Sequence, residues 1–357
     1  MPDYLFVDNP DSISQNLTGH ARLGVDTEFM REKTYFAQLC LIQISTPDDI
    51  YCVDPLVDVS QSEFWRQLLA TNWVVHSARQ DIEVVYQTAG AMPSEIFDTQ
   101  IAAGLLGYPA QMGYAGLMKE LFDIDMAKSH TRADWTRRPL RDEYLDYAAE
   151  DVEYLLPAAD ILSERLDKKD RLDWARQDSA LLLDQSLYEL SGEQAVDRLK
   201  GARNFRGVKR AAAVRLAAWR EAEAIRRDRP RQWIVRDNVL LDIAYKLPDS
   251  EEALAAIDGI PPKLISRVGK QLTDAVVAAK ADQSDYQPPS PPDEDQKILL
   301  KEMQSQVAEC ARNLDIAAET VASKRELSGV IVTGNTDTRV FNGWRRDLIG
   351  EQLLGLL

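Results

Sequence analysis

At 357 residues the chain exceeds what one hydrophobic core usually fills and suits two or three domains. A hydrophobic content of 45% beside 28% charged residues excludes a disordered chain, and no run nears the ~20 apolar residues that span a bilayer. The net charge of −16 is the wrong sign for a surface that binds polyanions throughout, so the distribution of charge matters more than its sum.

The N-terminus, MPDYLFVDNPDS, has neither the basic segment nor the apolar run of an export signal. Residues 22–29, 36–45 and 50–54 read as three strands in an antiparallel meander. A helix over 62–70, a strand over 73–76, a helix over 80–90, a short strand at 95–97 and a helix over 99–106 follow. A meander followed by βαβ units implies a mixed sheet flanked by helices, the layout of ribonuclease H-like folds. Residues 113–122 and 142–163 read as amphipathic helices, and from about Leu166 onward strand signals fade and the chain turns helical. From Arg198 to Arg236 thirteen Lys or Arg face only Glu221, Glu223 and Asp228, a local balance of +10 that favours a polyanionic partner over a solvated helix face. The stretch Gln287-Pro-Pro-Ser-Pro-Pro-Asp293 reads as a semi-rigid spacer. Cys40, Cys52 and Cys310 are odd in number and far apart, which excludes a disulfide framework or a zinc spacing and fits a reducing cytoplasm.

Three constellations carry candidate chemistry. In Val25-Asp26-Thr27-Glu28-Phe29, strand alternation puts Asp26 and Glu28 on one side, roughly 7 Å apart. Asp81 follows the strand 73–76 at the start of a helix, where favouring the helix dipole is the plainer use. His76 reads as a hydrogen-bonded structural histidine. In Tyr147-Ala148-Ala149-Glu150-Asp151, Tyr147 and Asp151 share a helix face about 6 Å apart in rise, and the alanines allow a close neighbour. Each pattern is common by chance; together they give four acids and a tyrosine. An all-oxygen set suits Mg²⁺ or Mn²⁺ rather than zinc, and two such ions about 3.5–4 Å apart can serve both oxygens of a phosphodiester displacement.

These stretches, with GVDTEFMREKTYFAQLCLIQIS, VVHSARQDIEVV, FDTQIAAGLLGY, KSHTRADWTRRPLRDEYLDYAAEDVEYLLP and FNGWRRDLIGEQLL, resemble the DEDD exonucleases of the tyrosine subclass, and within them the ribonuclease D family. The resemblance implies a 3′→5′ exoribonuclease that uses two divalent cations per active site, Mg²⁺ or Mn²⁺. Such an enzyme would release nucleoside 5′-monophosphates from the 3′ ends of precursor tRNAs and other small structured RNAs. It also implies roles: Asp26 and Glu28 as first-motif metal ligands, Asp81 as the second-motif acid acting through water, Asp151 as the third-motif ligand, and Tyr147 orienting the attacking water. Phe29 would pack on the last nucleotide or belong to the core. Ala37 stands where many relatives carry proline, a change that removes no chemical group.

The same resemblance divides the chain into an exonuclease domain at 1–204, an HRDC-type helical domain at 205–283, a proline-rich linker at 284–293 and a second HRDC-like domain at 294–357. Candidate RNA contacts are Arg132, Arg137 and Arg138 near Trp135, itself read as core, and Arg206, Lys209, Arg210, Arg226 and Arg227 in the basic cluster. With no heptad seam the chain is expected to be a monomer with no membrane partner. Two rivals stay open: a DNA-directed 3′→5′ exonuclease, which matched RNA and DNA strands would distinguish, and a non-catalytic RNA-binding adaptor, which loss of a carboxylate would have favoured.

Overall fold

Leu23, Val25 and Thr27 turn one side of a nine-residue strand inward, and the sheet is built around it. In the computed structural model, which describes residues 2–56, 62–126, 133–189, 194–282, 284–288 and 291–357, this strand is β2 (Arg22–Met30). It pairs antiparallel with β3 (Gln38–Ser45) and parallel with β5 (Asn72–Val75). β4 (Ile50–Val53) and β1 (Leu5–Val7) complete one side and β6 (Ile96–Asp98) the other, in the order β1-β4-β3-β2-β5-β6. The meander and the parallel additions follow the sequence reading, except that β1 was not foreseen. It is a three-residue edge strand whose Leu5 and Phe6 are exposed, so it carries no inward–outward alternation.

The helices of this part are α1 (Glu63–Ala70), α2 (Arg79–Ala89), α3 (Thr99–Leu105), α4 (Tyr114–Phe122), α5 (Asp142–Glu153), α6 (Leu155–Asp167) and α7 (Leu172–Ala180). Residues 142–163 therefore form two helices and not one. Pro157 has no N–H to give the carbonyl of Glu153 and its ring crowds that carbonyl, so the α5 ladder ends at Tyr154. The Tyr154 N–H is taken instead by the Tyr114 hydroxyl at 3.1 Å. Gly24 lets α6 lie close to the sheet: a Cβ there would stand 2.2 Å from Ser45 Oγ and 3.1 Å from Leu155 Cβ.

The chain divides into two compact units, Met1–Met30 with Gln38–Asp184 and Pro292–Leu357, and Arg31–Ala37 with Gln185–Pro291. Residues 194–204, which the sequence placed with the exonuclease domain, form 3-10 turns whose Ala195, Val196, Leu199 and Ala202 join the core of the second unit. That unit is helical: α8 (Gly207–Arg227), α9 (Arg231–Ile234), α10 (Asp237–Lys246), α11 (Glu251–Ala255) and α12 (Pro262–Ala279). Residues 31–37 also belong to it, which is why β3 starts at Gln38 and not near Phe36. The N–H groups of Tyr35 and Phe36 are bound by the Asp228 carboxylate, at 3.0 and 3.1 Å, and the Tyr35 hydroxyl donates to Glu221, itself held by Arg231.

In the first unit, α13 (Glu294–Leu314), α14 (Ala318–Val321), α15 (Lys324–Thr333) and a final helical run over 343–354 form a small core of their own. Trp344 leaves that core to stack on Trp174 of α7, with ring centroids 4.4 Å apart and planes 5° from parallel. Arg345, 2% exposed, makes paired bonds of 2.6 and 2.7 Å to Asp178 and reaches the carbonyls of Thr320 and Val321. Asp178→Ala would strand that buried guanidinium, a loss of about 3–5 kcal/mol. Urea unfolding followed by tryptophan fluorescence should show it, and a loss well below that range would mean the pair is not what fastens this helical region.

Candidate active site

Alternation along β2 sets Val25 and Thr27 inward and leaves Asp26 and Glu28 on the other side, both partly accessible. The register against β3 slips after Glu28: Glu28 faces Leu41 and Phe29 faces Leu39, so Cys40 is an extra residue in β3. Such a bulge bends a strand end and re-aims the side chains beyond it. The Cys40 carbonyl it frees accepts from Arg138 at 2.7 Å. Arg138 also binds both oxygens of Asp54, at 2.5 and 2.8 Å, and the carbonyls of Trp135 and Arg137.

Asp81 stands in the first turn of α2, where the sequence put it, and is only 8% exposed. It accepts a 2.5 Å bond from Thr27 Oγ1 on the inward side of β2, a tertiary contact that periodicity cannot show. The tight turn before α2 puts Ser77 at φ +59, and the Asp98 carboxylate fixes it by accepting the N–H groups of Ser77 and Ala78 at 3.1 and 2.9 Å. The same carboxylate caps α3 through Gln100 and Ile101. Asp98 escaped the sequence reading, although an acid just before a helix is a recognisable cap. His76 is structural, as read: one ring nitrogen meets Thr99 Oγ1 at 2.9 Å and the other the Met112 carbonyl at 3.0 Å.

α5 brings Tyr147 and Asp151 to the site. Ala148 and Ala149 are fully buried, so this helix lies flush against its neighbours. The Tyr147 hydroxyl bonds the Asp151 carboxylate one turn on. Trp135, 2% exposed, packs between Tyr144 and Tyr147 with centroids 5.6 and 6.4 Å away, so it is core.

The four acids from β2, α2 and α5 converge electrostatically. Burial raises Glu28 to about 8, with the charges of Asp151 and Asp81 adding to it. Asp26 is held well above the usual carboxylate range by burial and then by Asp81, Asp151 and Glu28. Asp81 is pushed up to about 7 by burial, against the Thr27 bond that favours its charged form. Asp151 also rises to about 7, by burial first. Tyr147 is raised far above its ordinary value by burial and by the charges of Asp151, Glu28 and Asp26. Among the described residues no three such groups stand in ready ligand geometry as they are. Oxygen donors, mutual repulsion and no adjacent basic side chain among the causes of these shifts make the set suited to a hard divalent cation.

The other candidate contacts divide by what already holds them. Phe29 is half-buried just past the bulge. Arg137 is exposed and pairs with Asp134 at 3.2 Å, whereas Arg138 is committed to the bulge and Asp54. Arg132 lies outside the described residues. In the second unit Arg210 is 6% exposed and bonds the Ala202 carbonyl and Asp197, so burial withdraws it from any surface role. Arg226 and Arg227 grip Glu223, Lys209 lies 3.4 Å over the Tyr245 ring, and Arg206 is exposed at the start of α8. What sequence reasoning missed is a cavity of about 350 Å³ lined by Trp233, Arg236, Asn238, Gly259, Lys263 and Arg267. Trp233 is 57% exposed there, and among the described residues none of the three cations is paired with an acid.

A family described as 3′→5′ exonuclease matches residues 8–167, and one described as HRDC domain matches residues 209–276. Ribonuclease D of Gluconacetobacter diazotrophicus is 32% identical, with 99% of this chain and 93% of that one aligned. Ribonuclease D of Xanthomonas oryzae is 32% identical over 99% and 98%. The crystal structure of Escherichia coli RNase D, described as an exoribonuclease involved in structured RNA processing, superposes with a TM-score of 0.88 at 27% identity, covering 100% of this chain and 99% of that one. An exonuclease domain of this fold implies dependence on a divalent metal, and the chain is a hydrolase that removes nucleotides from 3′ ends. It belongs to the ribonuclease D family of 3′→5′ exoribonucleases.

Proposed function

We propose that Asp26, Glu28, Asp81 and Asp151 hold two divalent cations, Mg²⁺ or Mn²⁺, and that Tyr147 completes the catalytic site. The observation that carries this reading is the convergence of four carboxylates that raise one another's proton affinity. When bound, the cations supply neutralisation of the carboxylates and scissile phosphate together, and stabilise charge on the attacking and leaving oxygens. Tyr147 keeps its proton at neutral pH, because burial and three carboxylates oppose its ionisation. Its hydroxyl therefore orients the attacking water and does not act as the base, while Asp151, its hydrogen-bond partner, fixes the direction of that hydroxyl. Hydrolysis forms one P–O bond to water and breaks the bond to the 3′-oxygen, leaving a nucleoside 5′-monophosphate and an RNA one residue shorter.

The substrates in this reading are 3′ ends of precursor tRNAs and other small structured RNAs. Phe29 packs on the terminal nucleotide, and Arg137, Arg206, Lys209, Arg226 and Arg227 meet the backbone. Arg138 and Arg210 drop out of that set because their donors hold the fold. The cavity beside Trp233 joins it, since an exposed indole among three cations suits an unpaired base and its phosphate. Residues 1–184, without 31–37, act as the exonuclease domain, residues 185–283 with 31–37 as the first HRDC-type domain and residues 294–357 as a second, with the linker 284–293 between the two in sequence. The enzyme works as a monomer in the cytoplasm, where its three unpaired cysteines stay reduced.

Three results follow. Incubating the protein with a tRNA bearing a 3′ extension, with and without Mg²⁺ or Mn²⁺, should release 5′-monophosphates only with the cation. Asp26→Asn should abolish turnover yet still bind RNA, and Tyr147→Phe should slow single-turnover cleavage more than it weakens binding; robust cleavage by Asp26→Asn contradicts the metal assignment.

Second, acids whose folded pKa is raised bind protons more tightly folded than unfolded. The cation-free protein should therefore lose stability as pH rises from the ordinary carboxylate range towards about 8. Stabilisation by Mg²⁺ should grow over that same window, and melting curves in which it shrinks would contradict the assignment.

Third, Trp233→Ala should weaken single-stranded RNA binding by about 1–3 kcal/mol. Arg236→Ala should lower the slope of affinity against salt by about one, and RNA titrations with neither change remove this cavity from the RNA path.

A further inference from the structure

Gln43, in the middle of β3, is completely buried, and neither its Oε1 nor its Nε2 has a hydrogen-bond partner. A primary amide shut away from water without partners is costly, and an apolar side chain of similar size would avoid that cost. Its place in the sheet suggests what the amide is for. Gln43 stands directly across from Asp26 of β2 on one side and Cys52 of β4 on the other. Residues opposite one another in antiparallel strands share a face, with Cβ atoms ~4.5–5.5 Å apart, within reach of a glutamine amide.

The shared face is the one that α5 covers. Ser45, two residues on from Gln43 and so on the same face, donates to the Val152 carbonyl at 2.9 Å. The Cys52 thiol lies 3.9 Å from the Leu145 carbonyl. Gln43 therefore lies beside Asp26 on the face covered by the helix that carries Tyr147 and Asp151, and Cys52, across from it on the other side, packs in one cluster with the buried Ala148 and Ala149. A lysine here would compete with a cation for the carboxylates, and a glutamate would add a fifth negative charge. Of the side chains of this length, a neutral amide can donate to Asp26 without altering the charge of the site.

We propose that Gln43 is a positioning residue for Asp26: its Nε2–H donates to the Asp26 carboxylate once that carboxylate faces a divalent cation, fixing its orientation as a ligand. The proposal rests on the reading of Asp26 as a metal ligand. An amide without a partner in the cation-free protein gains one on loading, so the cost borne in one state is returned in the other. Partners one step behind a metal ligand commonly act in this way.

The test uses the full-length protein with Gln43→Met and Gln43→Leu, Asp26→Asn as control, and Mn²⁺ alone as the probe. Without cation both Gln43 variants should melt at or above the wild-type temperature, because an unpaired buried amide has been removed. Calorimetric titration should show their Mn²⁺ affinity reduced by roughly 10–100-fold. Opposite movement of cation-free stability and cation affinity is a signature that a purely structural glutamine would not give. Mn²⁺ affinity within about twofold of wild type overturns the proposal, as it lies outside the range expected for such partners. So does marked destabilisation or misfolding of both variants without cation, which would mean the amide already has a structural partner. If Asp26→Asn still binds Mn²⁺ as wild type does, the failure belongs to the carboxylate reading and not to Gln43.

Discussion

Carboxylates at low dielectric repel one another, and this fold pushes four of them together. Asp26, Glu28, Asp81 and Asp151 come from three separate elements, and each is held above the ordinary carboxylate range by burial first. Nothing in the folding of the apolar core requires that arrangement, and it opposes folding wherever the acids are ionised. A divalent cation bound among them would reverse the balance, because the same charges that oppose one another would then act together on it. In the proposed reading the site is a source of instability in the free protein and would be one of binding free energy when loaded, a trade common where chemistry is done.

Much of the surrounding structure serves to keep the acids in place against that repulsion. The Cys40 bulge bends β3 alongside the end of β2, and Arg138 closes the carbonyl the bulge frees while tying Asp54 to the same region. Asp98 holds the positive-φ turn at Ser77 from which α2 departs, and so fixes where Asp81 begins. Thr27 reaches from the inward side of β2 to Asp81, coupling the first acidic strand to the second motif through one short hydrogen bond. Ala148 and Ala149 let α5 lie flush, which sets the height of Asp151 and Tyr147 above the sheet. These are ordinary packing and hydrogen-bonding devices, and their common product is a fixed placement of the four carboxylates.

How much of this was legible in the sequence depended on whether the relevant order was local. Strand alternation put Asp26 and Glu28 on one side, and helical spacing put Tyr147 beside Asp151, because both are periodic properties of a few residues. The mixed sheet followed from the order of meander and βαβ signals. The Thr27–Asp81 bond, the bulge at Cys40 and the unpaired amide of Gln43 are tertiary, and no window of residues contains them. Counting cations found the basic cluster but could not tell Arg210, turned into its own module, from Arg236 and Lys263, which line an open cavity. The break at Tyr154 could have been read from Pro157, since the missing N–H is a local fact. The capture of residues 31–37 by the helical unit could not, because Asp228 lies nearly two hundred positions away.

Diffraction tests most directly whether the four acids share cations. Crystals soaked in Mn²⁺ and measured at a wavelength where manganese scatters anomalously should show density enclosed by Asp26, Glu28, Asp81 and Asp151, next to the Tyr147 hydroxyl. Anomalous peaks elsewhere, with those four carboxylates left unliganded in well-ordered density, would contradict it.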